Sequence, residues 1–284
     1  MSTPKTQADP VNHPTAPHAA RPARYRLPGT GDTRAISTVT ICVVLALWWL
    51  ATHLGWVKPL FLPTPEAVLR AFGEAMRGHT QGDIPLPDHV LISVARVLGA
   101  FVLAVVTAVP LGLAMGTSRI VRGVADPLIE FYRPLPPLAY LPLIVIWFGI
   151  GESAKILLIY LACFAPLAMA AKAGARGVAL EQINAAYALG ASRWQVIGLV
   201  VLPAALPEIL TGMRIAVGFG WTTLVAAEMV AASSGLGQMV LNASNFLRTD
   251  IVVLGIIIIG ALAYAFDGLM RMLETRLTPW RGKM

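Results

Sequence analysis

From residue 36 onward the chain alternates long apolar blocks with shorter polar ones, a far coarser pattern than the alternation within a half-buried strand or helix. Blocks at about 36–56, 90–115, 133–150, 153–174, 208–231 and 251–269 each approach the ~20 residues that an α-helix needs to cross ~30 Å of hydrocarbon. Lipid offers the backbone no hydrogen-bond partners, so each block must satisfy its own groups as a helix. The pattern predicts an all-α, polytopic helical membrane protein with about six transmembrane helices in a membrane domain at 36–270.

Interruptions refine that picture. The first block ends in Trp48, Trp49 and Trp56. It is longer than the ~7–15 apolar residues of a cleavable leader and lacks a small-residue cleavage site, so it reads as a retained helix. After it, Thr64, Pro65 and Glu66 make a helix start: a capping hydroxyl, a proline at the first position and an acid at the positive end. Val68, Leu69, Phe72 and Met76 follow on one face, which suits a short helix lying on the membrane or packed against the bundle. Pro110 predicts a kink in the second span, and Pro134, Pro136, Pro137 and Pro142 an irregular entry to the third. Arg119 and Arg122 read as loop residues, and 233–248, with Gly235 and Gly237, as a loop or re-entrant turn. Residues 1–35, with six prolines and no apolar face, read as a disordered tail, and 271–284 as a polar tail.

Composition agrees: 56% of the 284 residues are hydrophobic, 13% are charged, and mean hydropathy is +0.69. A net charge of +7 would admit a nucleic-acid binder, but the Lys and Arg cluster at the ends of apolar blocks rather than on one basic face. They bear instead on orientation. With six spans both termini share a side, which then carries Lys5, Arg21, Arg24, Arg26, Arg34, Arg119, Arg122, Arg176, Arg193, Arg271, Arg276, Arg281 and Lys283. Lys58, Arg70, Arg77 and Arg248 fall on the other, so the positive-inside rule predicts cytoplasmic termini. Cys42 and Cys163 lie in apolar blocks, and the histidines show no metal-type spacing; no metal or cofactor bound by the chain is expected.

Polar groups at membrane depth are candidates for a transport path. Trp221, Thr222, Thr223 and Glu228 share the fifth block. They either line a path, or Glu228 accepts hydrogen bonds from the turn at 233–237. Arg133 likewise either gates an anion or pairs with Glu130 three residues earlier. Gly212, Ala216, Gly218 and Gly220 make one helix small-sided, as close packing requires. Asp267 reads as interfacial.

The polar stretch 175–207 has a helical pattern of its own. Asn184, Ala185 and Ala186 present small side chains, Gly190 can end the helix in a left-handed conformation, and Ala191 leads to Ser192, which can cap a second short helix through Arg193, Trp194 and Gln195. Two helices at a tight bend would form a compact knob. Its spacing, through Leu202 and Pro203, resembles the EAA loop of binding-protein-dependent ABC importer permeases, with Asn184 in place of the acid and Val200 in place of an isoleucine. The asparagine removes any salt bridge from that position. Residues 132–139, 147–152, 227–228 and 235–237 resemble the sulfonate, nitrate and taurine branch, and 156–160 with 277–280 its taurine members.

The resemblance implies a type I ABC importer permease of the bacterial inner membrane. It implies docking of the knob on ABC ATPase subunits that use ATP and Mg, a periplasmic substrate-binding protein, a second copy of the permease, and taurine or a related small organosulfonate as cargo. Among the lysines only Lys283 follows a glycine, and Met284 ends the sequence, so there is no P-loop and hydrolysis falls to the partner. A secondary transporter is the main alternative, but no clear repeat and few central charges support it. An intramembrane enzyme lacks any H-E-x-x-H or G-x-S-x-G motif.

Overall fold

The computed structural model describes residues 34–79 and 82–280, so most of the expected N-terminal tail, with residues 281–284, lies outside it. Chain contacts divide it into two units, the first ending at Ala46 and the second running from Leu47. Within the first unit, Ile36, Val39, Val43 and Val44 of helix α1 (Arg34–His53) are exposed. Lipid is the solvent that such a surface fits.

The second unit is built around α3 (Leu86–Thr117), α6 (Glu152–Arg176) and α9 (Leu202–Ala231). Small residues let these backbones approach closely, as helix packing in lipid requires. A Cβ on Gly112 would lie 2.4 Å from the Ala168 carbonyl, and one on Gly212 only 2.2 Å from the Ala170 Cβ. Ala100, Ala104, Ala108, Ala171, Ala205 and Ala216 complete the seam. With α1 and α11 (Thr249–Leu277), five helices are long and apolar enough to cross a membrane; α5 (Pro137–Phe148) is a shorter apolar helix.

Helix α2 (Pro65–Met76) starts where the capping pattern places it, the Thr64 hydroxyl accepting from the Ala67 N–H at 3.2 Å. Its predicted apolar face is divided, because at 100° per residue Ala71 and Ala75 sit nearer Val68 than Leu69 does. Val68, Ala71 and Ala75 are buried, whereas Leu69, Phe72 and Met76 are exposed along the adjoining arc.

Four segments differ from the sequence expectation, one of them residues 271–277, which continue α11 rather than start the polar tail. Arg119 and Arg122 lie not in a loop but in α4 (Arg119–Tyr132), which Ser118 caps and a 2.6 Å Asp126–Lys172 ion pair ties to α6. Residues 233–248 contain a helix, α10 (Leu236–Asn245), seated through Leu236, Gly237, Met239 and Ala243. Both are amphipathic and too polar to register as apolar blocks. The fifth long helix begins well before residue 208: α8 (Arg193–Val196), a π-helical turn (Ile197–Val201) and α9 run without a break.

Candidate functional site

The segment after α6 projects as a bent lever. Helix α7 (Leu180–Ala188) has no buried residue, and its exposed face presents Asn184, Ala185 and Tyr187. Gly190 adopts φ +83°, the left-handed conformation that only glycine reaches at little cost, and turns the chain so that the Ala191 N–H meets the Ala186 carbonyl at 3.1 Å. Ser192 then restarts the helix with a reciprocal cap: its backbone N–H donates to Gln195 Oε1 at 2.8 Å, and its Oγ accepts from the Gln195 N–H at 3.4 Å. Val196 is buried and anchors the lever, while Leu189 and Trp194 stand 89% and 81% exposed. Leu202 and Pro203 form the first turn of α9, so they belong to the membrane helix that continues the lever. A π turn in this place lets the helix enter Pro203, which has no N–H, without breaking.

A cavity of about 650 Å³ lies where α4 gives way to α5 and both face α6 and α9. The gap exists because Pro134, Pro136 and Pro137 cannot continue a helix; Arg133 caps the end of α4, its N–H bonded to the Ile129 carbonyl at 2.9 Å. Arg133, Thr222 and Thr223, named from sequence as path candidates, all line this cavity, joined by Tyr132 and Tyr140. No carboxylate, imidazole or side-chain amide is in the lining. Among the described residues Glu130 and Arg133 do not pair, and the Tyr132 hydroxyl is enclosed without a hydrogen-bond partner. Trp221 faces elsewhere, its ring meeting Phe266 of α11 edge-on at 5.6 Å.

Glu228 is also away from the cavity, in an ionic cluster whose inner members Arg96, Lys155 and Glu228 are buried and whose outer acid, Glu152, is exposed. The Glu228 carboxylate has no exposed surface and accepts from Ser93 Oγ at 2.8 Å, Arg96 Nη1 at 2.7 Å and the Gly237 N–H at 2.8 Å. Arg96 also donates to the Ser234 carbonyl at 2.7 Å and, through Nε and Nη2, to both oxygens of Glu152 at 2.7 and 2.6 Å. Lys155 reaches Glu152 at 2.6 Å, so two cations meet two carboxylates. His89 Nδ1 accepts from the Gly235 N–H at 3.0 Å, and Ser93 Oγ from the Leu236 N–H at 2.9 Å. Glu228 therefore fastens the turn at 233–237, the structural one of its two readings. Gly235 closes the cluster: a Cβ there would lie 2.3 Å from the Glu228 carboxylate, and its φ is +120°. Sequence reasoning did not join Ser93 and Arg96 of α3 to Glu228. The available signal was that two opposite charges buried in lipid-spanning helices need a partner.

Residues 108–279 match the family described as "Binding-protein-dependent transport system inner membrane component". The chain is 52% identical to the taurine transport system permease protein TauC of Escherichia coli over 249 residues, 88% of this chain and 90% of that protein. It is 37% identical to the putative aliphatic sulfonates transport permease protein SsuC of Bacillus subtilis over 239 residues, covering 84% and 85% of the two. Among solved structures, an inward-facing form of the MetNI methionine ABC transporter shares the fold, with a TM-score of 0.53 at 20% identity over 66% of this chain and 95% of that one.

Proposed function

Because the chain belongs to the family of binding-protein-dependent transport system inner membrane components, we propose that it is the membrane path of an ATP-driven importer whose cargo is taurine or a related small organosulfonate. The observation that carries this reading is the continuity of the exposed lever with α9, whose residues Phe219, Thr222 and Thr223 form one wall of the cavity. A motor that grips Tyr187, Leu189 and Trp194 moves α8, and α8 moves that wall with no flexible joint between. The chain itself has no P-loop, so ATP and Mg are used by ABC ATPase subunits at the lever, which belongs on the cytoplasmic side with both termini. A periplasmic substrate-binding protein delivers the cargo to two copies of the permease in the bacterial inner membrane.

Sulfonate cargo fits the cavity chemically: Arg133 supplies a cation and Thr223 a hydroxyl donor, with no carboxylate to repel an anion, while the Thr222 hydroxyl donates to the Phe219 carbonyl of its own helix at 3.0 Å. Glu228 and Trp221 enter this reading as supports of the path rather than as contacts. The experiment is ATP-driven uptake by the complex of permease, ATPase and binding protein in proteoliposomes. A Cβ at residue 190 meets nothing within 4 Å, so Gly190→Leu changes the bend while sparing the packing. Taurine-stimulated ATP hydrolysis is expected to fall about tenfold, equivalent to ~1.4 kcal/mol. Unchanged coupling would remove the lever reading. Competition by taurine, longer alkanesulfonates and nitrate identifies the cargo, and failure of taurine to enter would remove the specific assignment.

A further inference from the structure

A zwitterion carries an ammonium as well as a sulfonate, and no carboxylate lines the cavity to pair with the ammonium. The first requires an acceptor, and the main chain has one. In α6 the amide that would meet the Ala162 carbonyl belongs to residue 166, a proline with no N–H. Ala162 and Pro166 both line the cavity. Prolines also interrupt α3, α4, α5 and α9, at Pro110, Pro127, Pro142 and Pro207. For none of these does the cavity lining include the proline and the residue four before it; for Pro166 it includes both. A carbonyl released within a spanning helix is tolerated where it faces protein or a water-filled space, and it then offers a strong acceptor at membrane depth.

We propose that the Ala162 carbonyl, left without a helical donor by Pro166, receives the ammonium of an aminosulfonate while Arg133 and the Thr223 hydroxyl receive its sulfonate. The permease itself then distinguishes an aminosulfonate from a plain alkanesulfonate. This rests on the cargo reading above and adds selectivity to it. The two charged ends of the ligand meet groups on α6 on one side and on α4 and α9 on the other, so the cargo bridges the walls that the lever moves.

The test is uptake of taurine and of ethanesulfonate by the reconstituted complex, each at a concentration that saturates the binding protein, with the ratio of the two rates as readout. Pro166→Ala and Pro166→Gly both restore an N–H for the Ala162 carbonyl, and the ratio is read on whichever assembles with the ATPase. Taurine uptake is expected to fall about tenfold, the scale of one hydrogen bond to a charged group, with ethanesulfonate uptake held within about twofold. Pro142→Ala, outside the cavity, is the control for kink removal as such and is expected to leave the ratio unchanged. An unchanged ratio at position 166, or an equal fall for both sulfonates, overturns this inference alone. Absence of taurine uptake in the unaltered complex overturns the cargo reading and this inference with it.

Discussion

The cluster around Glu228 and the cavity beside Arg133 are built from similar residues and are finished in opposite ways. In the cluster, Arg96, Lys155, Glu152 and Glu228 satisfy one another and the backbone of the following turn at 2.6–2.8 Å. In the cavity, Arg133 is exposed and has no ion pair among the described residues, and the Tyr132 hydroxyl is enclosed with no partner among them. Buried polar groups that are fully matched hold structure, and those left unmatched beside open space are matched by what comes to occupy it. The difference marks the cluster as a fastening of the fold and fits the proposal that the cavity takes a cargo.

Breaking the architectural half should have the largest effect. Arg96→Met leaves Glu228 buried without its cation and is expected to destabilise the protein by about 3–5 kcal/mol, read as a large fall in the unfolding midpoint in detergent. The double variant Arg96→Met with Glu228→Leu removes both charges and should recover much of that loss. If the single variant unfolds at the parent temperature, the cluster is not structural.

Gly235→Ala attacks the same cluster through the backbone. The new methyl meets a carboxylate at 2.3 Å and the residue sits at φ +120°, so a loss of about 2–3 kcal/mol is expected. Gly190→Ala provides the contrast. Its φ is +83° but its surroundings are open, so only the backbone penalty of about 1 kcal/mol should appear in the same melts. Equal losses at the two sites would mean that contact with Glu228 contributes nothing.

On the cavity side the sign of the effect changes from stability to affinity. Thr223→Val keeps the shape and removes one donor, so the melting midpoint should move little. The taurine concentration giving half-maximal uptake should rise about fivefold, equivalent to ~1 kcal/mol. A loss of stability without a change in uptake would move Thr223 from the path to the frame.

How much of this was legible in advance follows from where the physical signal lies. Apolar length announced α1, α3, α6, α9 and α11, because spanning lipid demands long runs without charges. It was silent on α4 and α10, whose burial depends on neighbours distant in sequence. Gly190 and Ser192 announced the bend because turn and cap chemistry are local, yet the merger of α8 with α9 was hidden by Pro203, which reads as a break until a π turn accommodates it. In the candidate site, Arg133, Thr222 and Thr223 converge, whereas Trp221, one residue from Thr222 and so 100° around the helix, faces Phe266 instead. Arg96 and Glu228 are 132 positions apart, and only the cost of burying either alone connected them.

The smallest expected effect tests whether burial, rather than charge pairing itself, gives the Glu228 cluster its strength. Arg248 joins α2 to the start of α11 by donating to Glu74 at 2.8 Å and to Asp250 at 2.9 Å, slightly longer than the ion pairs of the Glu228 cluster. Both acids hold the guanidinium in its charged form, raising its pKa above the ordinary arginine value, with Asp250 the larger contributor. The Glu74 side chain is nevertheless 47% exposed, so water and salt compete for each partner. Glu74→Gln is therefore expected to cost less than about 1 kcal/mol, and the cost should shrink further as salt is raised in the unfolding measurement. A loss approaching that of Arg96→Met would mean that these contacts owe their strength to geometry alone, and the division between a matched frame and an unmatched cavity would no longer rest on burial.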